Sequence, residues 1–243
     1  MLEDDIRGVF YIALKDLRAY YLKPPNISWG ILLPLAFVLA FALRSPGELR
    51  ELVPGLLALT TLFSTSSMEA IVITFERRVG ALERLLLAPL RLPAVLAGKV
   101  LGGMVFGVVV TLFVVVLGVI AFGADGVNWF WLAATLVLSA AAFAALGAFV
   151  SVAVREVFEA QTLANLFRFP MMFLSGVFVP LTNMPAWLQV VAHALPLTYA
   201  VEAFQAAWSG GSARAVASAL TVLAGYAVVL FWLASRMLAA SLD

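Results

Sequence analysis

The chain has 243 residues, of which 64% are hydrophobic and 12% charged, with a formal charge of +1 and a mean hydropathy of +1.06. Soluble domains run about 45–50% apolar and about 25% charged, so this composition excludes a water-soluble globule: too few polar side chains remain to coat its surface. There is no cysteine and only one histidine, His193, which excludes a disulfide framework, a thiolate metal site and a histidine cluster, and the near-zero charge gives no pull toward nucleic acid.

The first 23 residues read as an amphipathic helix. Ile6, Val9, Phe10, Ala13, Leu14, Leu17 and Tyr21 recur at helical spacing, while Asp5, Lys15, Asp16 and Lys23 lie largely off that stripe. Glu3, Asp4 and Asp5 at its start suit the helix dipole and do not fit the basic opening of a signal peptide. The spacing therefore predicts a helix lying in the inner interface, ended by Pro24-Pro25.

Six uncharged or nearly uncharged runs follow, each long enough to cross hydrocarbon, for which a helix needs roughly 20 apolar residues. They are Pro24–Leu43; Leu52–Phe75, interrupted by Glu69; Val100–Ala124; Gly126–Val154; Phe169–Val201; and Ala215–Ser235. The runs are too continuous for the alternation of an outer-membrane barrel, so the expected fold is an all-α polytopic membrane protein with six transmembrane helices. With the N-terminus inside, twelve of the fifteen Lys and Arg residues fall on the inner side, Lys99 and Arg168 among them, and only Arg44, Arg50 and Arg214 outside. The positive-inside rule then puts both termini in the cytoplasm of a multi-pass cell-membrane protein.

Two segments are more than spans. In the cytoplasmic loop 76–91, Glu76, Arg77 and Arg78 precede Gly80, after which Leu82, Leu85 and Leu86 fall on one side of a short helix with Glu83 and Arg84 beside them. That leucine face either folds onto the inner leaflet or seats in a groove on another protein. The 33-residue run Phe169–Val201 is too long for one straight span, and Pro180, Pro185 and Pro196 divide it. Its fifth span, of about 20 residues, is placed near Ala160–Val179, which brings Arg168 inside it. Beyond it lies an outer, re-entrant helical hairpin, 180–199, with Trp187 and Tyr199 at the interface and Pro196 closing it. Glu69 and Arg168 are intramembrane charges, read either as snorkelling to the inner interface or as lining a pathway. Gly98, Gly102, Gly103 and Gly107, and Ala140, Ala144 and Ala148, supply small-residue faces for close helix packing.

The stretch Glu76-Arg77-Arg78-Val79-Gly80-Ala81-Leu82-Glu83-Arg84-Leu85 with Pro89, and the stretch Leu174-Ser175-Gly176-Val177-Phe178-Val179-Pro180-Leu181-Thr182-Asn183-Met184-Pro185 with Leu195-Pro196-Leu197-Thr198-Tyr199, resemble the membrane subunit of type-2 ABC exporters. That class includes the daunorubicin-resistance permeases and the permeases exporting O-antigen and teichoic acid, and the likeness covers nearly the whole chain as one permease domain, 1–243. It implies a pair of permease subunits, the second a copy or a homologue, each seated on a separate ABC ATPase that holds ATP and Mg. It implies that Glu76, Arg77, Arg78, Gly80, Leu82, Glu83, Arg84, Leu85 and Leu86 form a coupling helix. Ser175, Gly176, Pro180, Asn183, Pro185, Trp187, Pro196 and Tyr199 would belong to an outer gate. The chain departs from the family in its hairpin turn, where Thr182 and Asn183 stand in place of an acidic residue.

The sequence has no GxxxxGK[ST] motif, and Gly98-Lys99-Val100 lacks the hydroxyl residue, so no catalysis or cofactor is expected on this chain itself. The expected function is export of an amphipathic drug-like or lipid-like substrate, driven by ATP hydrolysis on the partner; export of a lipid-linked polysaccharide is the alternative. An ATP-independent secondary transporter would show inverted repeats with broken helices in both halves, and only the second half is broken. A rhomboid-type serine protease would need Ser175 and His193 to meet, but Phe173 stands two before the serine and His193 lies on the hairpin.

Overall fold

The computed structural model describes residues 2–23, Ala36 and 49–241, and its elements are helical throughout the described residues. The first apolar run, Pro24–Leu43, lies outside them. Helix α1 (Leu2–Asp16) continues as a wider π-helical turn, Leu17–Tyr21. It is followed by α2 (Leu49–Arg78), the short α3 (Ala81–Leu86), α4 (Leu92–Phe122), α5 (Trp129–Ala153) and α6 (Val157–Leu174). A single 3-10 turn, Leu181–Asn183, leads to α7 (Ala186–His193), α8 (Pro196–Trp208) and α9 (Ala213–Ala240).

Local chemistry sets the ends of these helices. Asn128 caps α5 by accepting from the Trp131 amide at 3.3 Å, and Ser212 caps α9 through the Ala215 amide. Glu156 and Glu159 form a reciprocal capping box at the start of α6. Pro93 and Pro196 occupy first-turn positions of α4 and α8, where a missing N–H costs nothing.

Among the described residues four helices, α2, α4, α5 and α9, are long and apolar enough to cross a membrane. The 18-residue α6, with Glu159 and Arg168, is not one of them. Helix α4, 31 residues long, reaches about 46 Å, well beyond a hydrocarbon layer of about 30 Å. It begins eight residues before the run Val100–Ala124 does, so Lys99, counted above as a loop cation, sits two turns inside a helix and is fully buried.

Helix α5 is the hub: α2, α4, α8 and α9 all pack along it. Its Ala140, Ala144 and Ala148 are buried and keep it thin. One apolar core, including Leu57, Leu62, Leu136, Phe143, Phe204, Trp208 and Leu223, joins α2, α5, α8 and α9. A second, with Ile12, Ile73, Leu82, Val95, Leu96, Val152 and Leu238, ties α1 and α3 to the ends of α2, α4, α5 and α9. Glycines set the spacing. A methyl on Gly98 would lie 2.8 Å from Ile12 of α1, a methyl on Gly103 would strike Glu69 of α2, and one on Gly147 would meet the Ser66 carbonyl oxygen at 2.6 Å. Along α2, the hydroxyls of Thr60, Thr61, Ser64, Thr65, Ser66 and Thr74 each donate to the carbonyl four residues back.

One helix boundary and one helix face correct the sequence reading. Pro196 does not close the outer hairpin but opens α8, whose Leu197, Ala200, Val201, Phe204 and Trp208 are buried in the core. Helix α1 is rotated from its expected face. Asp5 and Asp16, placed off the apolar stripe, are buried with Ile12 and Ala13 against α4, while Ile6, Phe10 and Tyr11 are exposed.

Gly147→Ala is expected to destabilise the protein by about 1–3 kcal/mol through overpacking against backbone. Gly225→Ala, where nothing lies within 4 Å, is expected to raise stability by about 0.5–1 kcal/mol through reduced chain entropy. Thermal unfolding of the two variants in detergent checks the pair, and the reverse order would disprove the close α2–α5 approach.

Candidate functional site

The loop after α2 reverses at Gly80, whose φ of +69° lies in the left-handed region that favours glycine. That turn sets α3 against the ends of α2 and α4. Leu82 is 2% exposed, and Leu85 and Leu86 pack beside it on the core formed by Ile73, Val95 and Leu96. The three leucines therefore anchor the helix to its own chain, and the expected leucine face for leaflet or partner is not presented. What the loop offers outward is Val79, Glu83, Arg84 and Leu87, the last 85% exposed. Arg78 pairs with Glu156 at 2.9 Å on the surface, while Arg77 is half-buried.

Glu76 does not join this outward surface. It is fully buried in a four-charge junction that the sequence did not reveal. The Lys99 ammonium donates to Asp16 Oδ2 at 2.8 Å and pairs with Glu76. Lys15 donates to Glu76 Oε1 at 2.6 Å and lies 2.9 Å from Asp16 Oδ1. Two cations and two carboxylates thus neutralise one another and join α1, α2 and α4. Burial pushes the Lys15 amine down, but Glu76 and Asp16 more than offset this and hold it above its ordinary value. About three turns back along α1, Asp5 accepts from the Arg91 guanidinium at 2.5 Å and from the Arg91 amide at 3.2 Å. That hydrogen-bonding guanidinium lowers the Asp5 carboxyl below its ordinary 3.8. The signal for the junction was present in outline: Asp16 follows Ile12 by four residues, so it shares that residue's buried face, and Lys99 is the one charge in the 92–122 stretch.

Glu69 and Arg168 do not snorkel to an interface; both are enclosed by helices. Glu69 Oε1 accepts from the Tyr21 hydroxyl and from the Gly103 amide, each at 3.0 Å. Arg168 donates to the Ala164 carbonyl at 3.1 Å, to Asn165 Oδ1 at 2.9 Å and to the Ser67 hydroxyl. Its guanidinium lies 5.0 Å over the Phe63 ring. These contacts come from the turn Leu17–Tyr21, α2, α4 and α6 of this chain, and Glu69 Oε2 is left buried without a hydrogen-bond partner.

At the other end of the bundle, Ser175 is buried just past the end of α6, and Gly176 turns the chain with φ of +80°. Pro180 precedes the 3-10 turn and Asn183 ends it, and Pro185 caps the start of α7, whose Trp187 is 69% exposed. The Tyr199 hydroxyl donates to the His193 carbonyl at 2.8 Å, and Tyr226 of α9 donates to the Ala194 carbonyl, tying α7 to α8 and α9. Ser175 Oγ has no hydrogen-bond partner, and His193 Nε2 lies 3.8 Å from Glu202, so the two do not form a serine–histidine pair. Among the described residues no cluster of three metal-ligating side chains occurs.

Lys99→Ala would leave the buried Asp16 and Glu76 carboxylates sharing the single, half-exposed Lys15 cation and is expected to cost about 3–5 kcal/mol; an unchanged detergent melt would show that the junction does not form. Protonation should loosen α1 as well. The lowered Asp5 carboxyl contributes stability above its ordinary value and loses it as pH falls through the depressed one. Hydrogen exchange over residues 2–23 should therefore accelerate only below about pH 4, and less so in Asp5→Asn, which has lost the charge already.

Comparison with known proteins places this geometry. Residues 8–208, from α1 to the end of α8, match the ABC-2 type transporter family. The chain is 28% identical over 208 residues to a transport permease, ycf38, of Cyanophora paradoxa, covering 78% of this chain and 70% of that one. It is 26% identical over 162 residues to the inner membrane transport permease YadH of Escherichia coli strain K12, covering 65% of this chain and 62% of that relative. The same figures hold for YadH of Shigella flexneri. The match with YadH thus spans less than two thirds of either protein. An all-helical bundle with four membrane-length helices, matched from its N-terminal helix through α8, leaves one assignment: the chain belongs to the ABC-2 type transporter family, as a transport permease subunit.

Proposed function

We propose that the chain is the membrane half of an ATP-driven exporter. It works as a dimer with a second copy or a homologous permease, each seated on an ATPase subunit that binds ATP and Mg. In this reading both termini face the cytoplasm and α3, with the loop from Arg77 to Pro89, is the element the ATPase grips. The observation that carries it is the construction of α3: a six-residue helix held by Leu82, Leu85 and Leu86 on the core and set by the Gly80 turn, with Val79, Glu83, Arg84 and Leu87 left outward. A loop needing only solubility would not seat itself so firmly while exposing a leucine, whereas a lever needs a fixed base and a gripping edge.

The charge junction supports the same reading. Force on α3 reaches α2 through a two-residue turn, and α2 is joined to α1 and α4 by Glu76 and Lys99. With Lys99 and Arg168 removed from the inner loops, the remaining inner Lys and Arg residues still outnumber the outer three, so the expected orientation keeps its support. The cargo reading is an amphiphile, drug-like or lipid-like, taken from the cytoplasm or the inner leaflet. Its support is the apolar composition of the chain, 64% hydrophobic, and of its membrane-length helices.

Tagged full chain, solubilised in detergent, is expected to retain an ATPase subunit, and Glu83→Arg and Leu87→Asp are expected to lower that retention at least about tenfold. Gly80→Val, which forces a β-branched residue into the left-handed region at a cost of about 1–2 kcal/mol, is expected to cut export comparably while membrane insertion stays normal. Normal export by all three variants, or transport by the purified chain with no ATPase present, would overturn the proposal.

A further inference from the structure

On the lipid-facing side, α4 and α9 both pack along α5 but meet each other at few places. Between them α5 presents Ala141 and Ala145, one turn apart, and side chains this small leave the trough unfilled. The result is a groove of about 500 Å³, walled by Pro93 and Val100 of α4 and by Ala227, Val228, Phe231 and Trp232 of α9. That volume falls within the range of sites that hold small amphiphiles. Every lining side chain is apolar except Ser235, which sits at one end.

The polar end of the groove is also its charged end. Arg236 follows Ser235 and is exposed, and its guanidinium lies 5.4 Å over the Trp232 ring. Stacking fixes the plane of the guanidinium while leaving its N–H donors, which lie in that plane, free to meet an anion. No carboxylate of the described residues lies within ion-pair distance of it. Ala227 to Ser235 spans about 12 Å along α9, so the groove runs from headgroup level into the hydrocarbon, with tryptophan where membrane interfaces favour it.

We infer that this groove is a binding site for one anionic phospholipid, its acyl chain lying over Ala141 and Ala145 and its phosphate meeting Arg236 beside Ser235. An apolar trough alone would take any acyl chain. The stacked arginine at its mouth selects a headgroup that leaves net negative charge after one phosphate is matched, and basic recesses between membrane helices recognise such headgroups. The orientation proposed above enters only in assigning the lipid to the inner leaflet. Binding itself does not depend on it, nor on an ATPase partner.

The full chain in nanodiscs of phosphatidylcholine with equal minor fractions of phosphatidylglycerol and phosphatidylethanolamine, analysed by native mass spectrometry of the released protein, tests this. Retained phosphatidylglycerol should exceed phosphatidylethanolamine about fivefold, the factor expected of one arginine at the surface. Arg236→Gln should bring the ratio near one, and Arg236→Lys should keep part of it. Ala145→Leu should abolish retention of both lipids; if that variant fails to fold, Val228→Trp, on the exposed rim, should do the same from outside. A photo-crosslinking residue at position 228 in whole cells should yield a lipid adduct. An unchanged ratio in Arg236→Gln, full retention in the blocked variants, or an adduct to another polypeptide at position 228 would overturn the inference.

Discussion

The bundle depends on a constraint at the end where α1 meets α4: a lysine ammonium enclosed in protein must be neutralised on the spot. Lys99 lies two turns inside α4, and among the described residues its ion-pair partners are the carboxylates of Asp16 and Glu76. Those two groups come from the end of α1 and from the last turns of α2, so satisfying one cation fixes the relative position of three elements far apart in sequence. Removing charge from this interior would not free the helices but would leave the remaining ions unpaired, which is why such junctions make a geometry specific more than they make it stable. Around this point the glycines at 98 and 103 let α1 and α2 come close enough on α4 for the ions to touch.

From that fixed point this end of the bundle divides into a base and an edge. Leu82, Leu85 and Leu86 give their apolar area to the core, and the charged and apolar groups at Val79, Glu83, Arg84 and Leu87 remain outside. A three-leucine stripe on so short a helix has two possible destinations, and nearest-neighbour pattern alone does not choose between them. Ile73, Val95 and Leu96 decide the matter, and they lie on two other helices whose meeting is a tertiary fact.

The same distinction explains how far the amino-acid order was readable. Run lengths between charges located α2, α4, α5 and α9, because crossing hydrocarbon requires continuous apolar helix and leaves few alternatives. Prolines 180, 185 and 196 correctly divided the long apolar stretch, but the helix after Pro196 was hidden by Glu202, which read as the end of an apolar run. The rotation of α1 was hidden for a related reason. Counting apolar residues favours the side bearing Phe10, yet that side lies exposed on the outside of the bundle, where an apolar surface fits a membrane protein equally well, while acids at 5 and 16 turn inward because basic partners await them. In a bilayer, hydrophobicity ceases to mark the interior, and charge complementarity takes over as the guide.

The hydroxyl series along α2 carries a mechanical consequence. Where a serine or threonine hydroxyl donates a hydrogen bond to the carbonyl one turn back, that carbonyl has a second donor and tolerates lengthening of its main-chain bond, so curvature is cheap there. Six such sites stand on α2, whereas α4, built almost wholly of aliphatic side chains, has no comparable series among its described hydrogen bonds. Paired along their length, the two helices resemble a bimetallic strip, one compliant blade against one stiff blade, so that a pull applied near Arg78 would bow α2 more readily than tilt the pair rigidly.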